Sequence, residues 1–166
     1  MKWYLKLILV CTLLALLAGA AGMIYVVRAK FVTNDYNTQL SLAFNAAMMV
    51  NAHETYADAA NAVIAETENG RFVVDPENYR TLSFYLKVQA AMPLFERVDE
   101  DAPLKISICG ESIIYAEPSS DGNGANLRFE SGGKKFVMHV SDPELWEELI
   151  HTCERGTGRA ENIPLP

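Results

Sequence analysis

Leu7 to Val27 is a run of 21 residues with no charge, LILVCTLLALLAGAAGMIYVV. As an α-helix rising about 1.5 Å per residue it would be about 31 Å long, the thickness of a bilayer's hydrocarbon core. A stretch of this kind limits the start of the chain to two fates: a secretion signal that is removed, or an anchor that stays. Ala18-Gly19-Ala20 has the small-residue pattern of a cleavage site. The apolar character nevertheless continues through Met23, Ile24, Tyr25, Val26 and Val27, and ends only at Arg28 and Lys30. Cleavage at Ala20 would fall in the middle of the membrane, so the sequence predicts a retained anchor over residues 1–30, with its core at 7–27. The small residues Gly19 to Gly22 suit close helix packing, which makes the helix a candidate for self-association. A lipoprotein reading of Cys11 fails, because Val10 precedes it.

Cations flank the span on both sides, Lys2 and Lys6 before it and Arg28 and Lys30 after it, so local charge hardly orients it. The remainder is more informative: residues 31–166 hold 10 Lys and Arg against 21 Asp and Glu. Few residues precede the span, as in a signal anchor, and the acidic portion is therefore expected outside the cytoplasm. Trp3, Tyr4 and Tyr25 suit the two interfaces. Its acidity also excludes a nucleic-acid partner, which would need clustered Lys and Arg. The most basic patch, Lys134-Lys135, falls at a hairpin turn.

About 136 residues follow the anchor, enough for one domain with its own core, placed at 31–156 ahead of a flexible tail, 157–166. Thr33 to Glu68 reads as one helix, rich in Ala, Leu and Met and free of Pro and Gly, with Leu40, Phe44 and Ala47 on its apolar side. Asn51, Glu54, Asp58 and Asn61 form the polar stripe, and nothing between Val27 and Asp35 breaks continuity with the span. Asn69-Gly70 would stop it. After the extended Phe72-Val73-Val74, Asp75-Pro76 is a helix start, with Tyr79, Leu82 and Leu86 facing a core and the helix running to about Ala91 before Pro93. Asp99-Glu100-Asp101 reads as a solvated loop.

The second half changes to a two-residue period. Ile106 and Ile108 lead to a Gly110-Glu111 turn and return through Ile113 to Glu117; Leu127 to Glu130 pairs with Phe136 to Val140 across Gly132-Gly133. Ser141-Asp142-Pro143-Glu144 then opens a short helix through Leu149 and Cys153 to Gly156. The expected fold is α+β: an N-terminal transmembrane helix, then helices packed on a four-stranded antiparallel sheet made of two hairpins, with a short C-terminal helix.

No catalytic, cofactor-binding or metal-binding residues stand out. His53, His139 and His151 lack the spacing of paired ligands, and Glu66 and Glu68, or Glu147 and Glu148, read as solvated pairs. The stretch from Asp121 begins like a calcium loop but places Ala125 fifth, Asn126 sixth and Gly132 twelfth. Cys109 and Cys153 either remain two buried thiols or pair as a disulfide, which in an oxidising compartment would tie the last helix to the sheet.

Three functions fit. The first is a non-catalytic, membrane-anchored interaction domain within an envelope assembly, with a protein partner and no cofactor. The second is a filament or secretion-machine subunit: an apolar N-terminal helix running into a long Ala-rich helix and then an antiparallel sheet resembles the layout of pilin-like proteins. The pattern of a Gly, then an aromatic residue, with a Glu five places into the apolar segment is missing. The third is a ligand-sensing input domain, although no second span or output module follows Gly156.

Overall fold

The fold is described from a computed structural model, over residues 2–53, 62–87, 97–155 and 158–159. Helix α1 (Lys2–His53) is continuous across the membrane and soluble segments foreseen from sequence. Every residue from Trp3 to Arg28 is exposed, and burial begins at Ala29. It is long and apolar enough to cross a membrane, with a mean hydropathy of 2.6 in its most apolar window, none of which is buried. From Ala29 onward, Thr33, Tyr36, Leu40, Ala43, Phe44 and Ala47 are buried, recurring at steps of three and four that place them on one stripe. The expected apolar side is thus the docked side. Glu54, Asp58 and Asn61 of the expected polar stripe lie outside the described residues.

The sheet departs from the expectation of four strands. It has six strands of four to seven residues and a two-residue seventh, all antiparallel: β1 (Val63–Thr67), β2 (Gly70–Val73), β3 (Leu104–Ile108), β4 (Ser112–Pro118), β5 (Ala125–Ser131), β6 (Lys134–Val140) and β7 (Gly158–Arg159), in the order β6-β5-β4-β3-β1-β2-β7. The single helix expected over Thr33–Glu68 is corrected accordingly. Val63 to Thr67 is a strand, because its β-branched Val, Ile and Thr can pair with both β2 and β3, and a two-residue Glu68-Asn69 turn makes a hairpin where Asn69-Gly70 was expected to stop a helix. Two residues of the expected tail, Gly158 and Arg159, pair with β2, where Val73 and Phe72 offer free backbone groups.

Asp75 does cap: its Oδ1 accepts from the backbone N–H of Glu77, 3.1 Å away. What it opens is a 3-10 turn, Pro76–Asn78, followed by a short helix α2 (Tyr79–Tyr85) that stops well before Ala91. Tyr79, Leu82 and Leu86 are fully buried, as their spacing required. The β3–β4 connection takes in Cys109 as well as Gly110 and Glu111, with Cys109 at φ 52° and Gly110 at φ 68°. Across Gly132-Gly133 both φ angles are positive, 57° and 74°, the geometry a two-residue hairpin loop needs. Helix α3 (Leu145–Glu154) starts later than the Ser141–Glu144 box suggested, and Asp142 Oδ1 accepts from the N–H of Glu144 just ahead of it.

One face of the sheet is covered. Val63, Ala65, Ile106, Ile108, Ile114, Leu127, Phe129 and Met138 point into a core closed by α1, α2 and by Leu145, Leu149 and Cys153 of α3. Tyr36 joins three of these parts: its ring lies edge-on to Phe129 at 5.7 Å and to Phe136 at 5.9 Å, and its hydroxyl donates to the Leu86 carbonyl at 2.7 Å. The opposite face carries the polar members of the alternation.

Candidate functional site

Antiparallel register places one residue from each of six strands in a row on that second face: Arg71, Glu66, Lys105, Tyr115, Arg128 and Val137. The row alternates in charge toward its centre. Glu66 lies 3.8 Å from Arg71 Nε and 3.9 Å from Lys105 Nζ. Lys105 Nζ stands 5.8 Å from the Tyr115 ring centre and the Arg128 guanidinium 4.7 Å from it, so the ring is flanked by two cations.

Arg128 is the hub. Its Nε donates to Glu130 Oε1 at 2.7 Å, Nη1 to the Val98 carbonyl at 3.2 Å, and Nη2 to Glu100 Oε1 at 3.0 Å. Lys135 Nζ is 3.4 Å from the same Glu130 oxygen. Arg128 thereby holds the segment before β3 against β5, and the two border a polar hollow of about 570 Å³ with Arg97, Asp99 and Lys135 on its rim. Desolvation acts to lower Arg128, but hydrogen bonds and charges from Glu100 and Glu130 outweigh it and leave its pKa raised. Desolvation likewise acts to raise Glu130, yet bonding to Arg128 and Lys135 holds it below the usual carboxylate range. Burial, then the charge of Glu100, raises Tyr115, which stays protonated.

The charged groups of this face are mostly paired with one another. The carboxylates of Glu66, Glu100 and Glu130 are matched by cations, and no cluster of three potential metal ligands occurs among the described residues. His139 Nδ1 is 3.0 Å from Asn126 Oδ1 on the same face, and His151 is exposed on α3. The side chain of His53 lies outside the described residues. Asp121 closes its own loop, accepting from Ser119 Oγ at 2.7 Å and from the Asn123 N–H at 3.0 Å, and these bonds hold its carboxyl below the usual range. Cys109 and Cys153 are both present as thiols, and burial pushes Cys153 up to about 12. Glu66 sits in the charged row and not on a helix end, where sequence alone had put it.

Sequence reasoning did not bring this cluster together. The two-residue period of Leu127 to Glu130 sets Arg128 and Glu130 opposite Leu127 and Phe129, but Glu100 is 28 residues from Arg128, and only the fold joins them. Replacing Arg128 with Met is expected to cost about 1–3 kcal/mol at neutral pH, since it strands Glu130 and the Val98 carbonyl. Glu100→Gln, at a mostly exposed carboxylate, is expected to cost under about 1 kcal/mol. Glu130 titrates lower in the folded chain than its ordinary 4.5, so the pair's contribution is complete above that pH and is lost as the pH falls through the folded value. The gap between wild type and Arg128→Met in urea titrations should therefore narrow in acid.

No family model, no curated protein and no solved structure matches this chain.

Proposed function

We propose that the chain is a single-pass membrane protein whose α+β domain, held outside the cytoplasm, works by binding another protein as part of an envelope assembly, without catalysis. One observation carries this reading: α1 is a single helix that is exposed and apolar up to Arg28 and docked into the domain core from Ala29 onward. No linker separates the two halves, so the domain is held at a fixed height above the span. The charged row centred on Arg128 and Tyr115 lies on the sheet face opposite the helices, and it is the surface we assign to the partner. Its mixed charge and flanked aromatic ring suit a polar protein surface more than an apolar ligand.

The test is topological. Full-length protein tagged at Pro166 should stay in the membrane pellet after alkaline carbonate extraction, and the tag should be cut by protease added to intact spheroplasts. Release into the supernatant, or a protected tag, overturns the reading.

The same helix supports a second reading, a filament subunit, because a half-projecting, half-docked helix beside an antiparallel sheet is the pilin-like layout noted from sequence. Ordered polymers in sheared surface fractions would favour it. Their absence in cells that display the protein at the surface would count against it.

A further inference from the structure

The point where α1 leaves its apolar stretch has a chemistry of its own. A shallow, widely open groove runs along the helix between Met23 and Val32, lined by apolar side chains and by Arg28. Ile24, Arg28, Phe31 and Asp35 follow one another at four- and three-residue steps and so share one side of the helix. At Asp35 the β5–β6 hairpin arrives: Lys134 Nζ is 2.8 Å from Asp35 Oδ2, and both groups remain solvent-accessible. Asp35 is eight residues beyond Val27, which sets Lys134 about 12 Å along the axis from the end of the uncharged run. The apolar groove is thus bordered by Arg28 and, further out, by the Lys134–Asp35 pair.

Charge elsewhere sharpens the contrast. The chain carries a net −7, yet where α1 enters the domain Arg28, Lys30 and Lys134 gather against Asp35 and Glu111. Phe31, beyond Arg28, is exposed and continues the apolar surface by a turn past the first cation. A free anion would satisfy the cations and leave the groove empty, whereas an apolar ligand would do the reverse. A phospholipid with an anionic head satisfies both, with its chain along the helix and its headgroup in the interval between Arg28 and Lys134.

We propose that the base of the domain binds anionic phospholipids of the bilayer that α1 crosses, an acyl chain lying against Met23, Ile24 and Val27 and the headgroup held by Arg28 with Lys134 on its outer side. This rests on the anchor reading above and adds to it a lipid preference. It gives the hairpin turn at Gly132-Gly133 a place against the headgroup layer and leaves the Arg128 face free for a partner.

The full chain, reconstituted into phosphatidylcholine vesicles, would be probed with chain-labelled spin probes of phosphatidylglycerol and of phosphatidylcholine. The fraction of each that is motionally restricted by the protein gives their relative association. Phosphatidylglycerol is expected to be favoured roughly fivefold. Arg28→Gln with Lys134→Gln should bring the ratio close to one, while Arg155→Gln, an exposed cation at the far end of the sheet, should leave it unchanged. Equal association of both lipids with the wild type, or a preference that survives the double substitution, overturns the lipid site alone. Protein that does not enter the vesicles overturns the anchor reading, and the lipid site falls with it.

Discussion

Gly124→Ala is expected to cost the domain more than about 4 kcal/mol and to leave it largely unfolded. Two independent effects converge at this residue. Its φ is +137°, a conformation in which a side chain is strained, and a Cβ built there would lie 1.9 Å from the Val140 carbonyl oxygen and 2.9 Å from the Asp142 nitrogen. Both atoms are backbone, so neither can swing aside as a side chain could. Relief would require separating the start of β5 from the end of β6, where Ala125 pairs with Val140, and this would strip the pairs that follow it. Gly122, two residues away at φ +72°, has open space around its missing Cβ and serves as the control. Gly122→Ala should cost only about 1 kcal/mol, from backbone strain alone. Urea unfolding of both variants, followed by far-UV circular dichroism, checks the contrast. A Gly124→Ala protein as stable as Gly122→Ala would mean that the β5–β6 junction is not as tight as described.

Phe129→Ala is the second large effect, expected at about 3–5 kcal/mol. Phe129 is completely buried on β5, edge-on to Tyr36 and stacked on Phe136 with centroids 6.1 Å apart. Removing the ring opens a cavity and also deprives Tyr36 of one of its two aromatic neighbours on the sheet. Tyr36 is where α1 meets both β5 and the end of α2, so the damage should concentrate at the base of the helix. Phe129→Leu, which keeps most of the volume, is expected to lose under about 1.5 kcal/mol. Hydrogen exchange separates local from global loosening: in the Ala variant, amides of α1 near Tyr36 and Leu40 should lose protection beyond the general decrease. A uniform decrease would show that Tyr36 and Phe129 do not form the link between helix and sheet.

Much of this fold is legible in linear pattern. The uncharged run, the apolar stripe from Leu40 to Ala47, the Asp75-Pro76 start, the Gly132-Gly133 hairpin and the inward residues of the last four long strands all follow from local periodicity, turn chemistry and capping. These depend on neighbours within a few residues, and the relevant side chains stand beside one another in the chain. The errors fall where two local readings compete. Val63 to Thr67 continues an Ala-rich segment that favours a helix, and its own β-branched residues favour a strand; what decides is the pairing of Val63 with Ile108 and of Ile64 with Val73, contacts no local pattern contains. The same holds for α2, which ends at Tyr85 with Leu86 still buried against the core.

The candidate surface shows the division most clearly. By itself the sequence determined that the chain has one span-length apolar helix, an acidic α+β remainder and outward-facing charges on its strands, because hydrophobic period and net charge are properties of the chain alone. Only the tertiary structure decided which charges meet. Arg71, Glu66, Lys105, Tyr115 and Arg128 become a row, and Arg28 and Lys134 come to one end, because antiparallel register and helix docking bring together residues as much as a hundred positions apart. Electrostatic interaction falls off with distance through space, not along the chain.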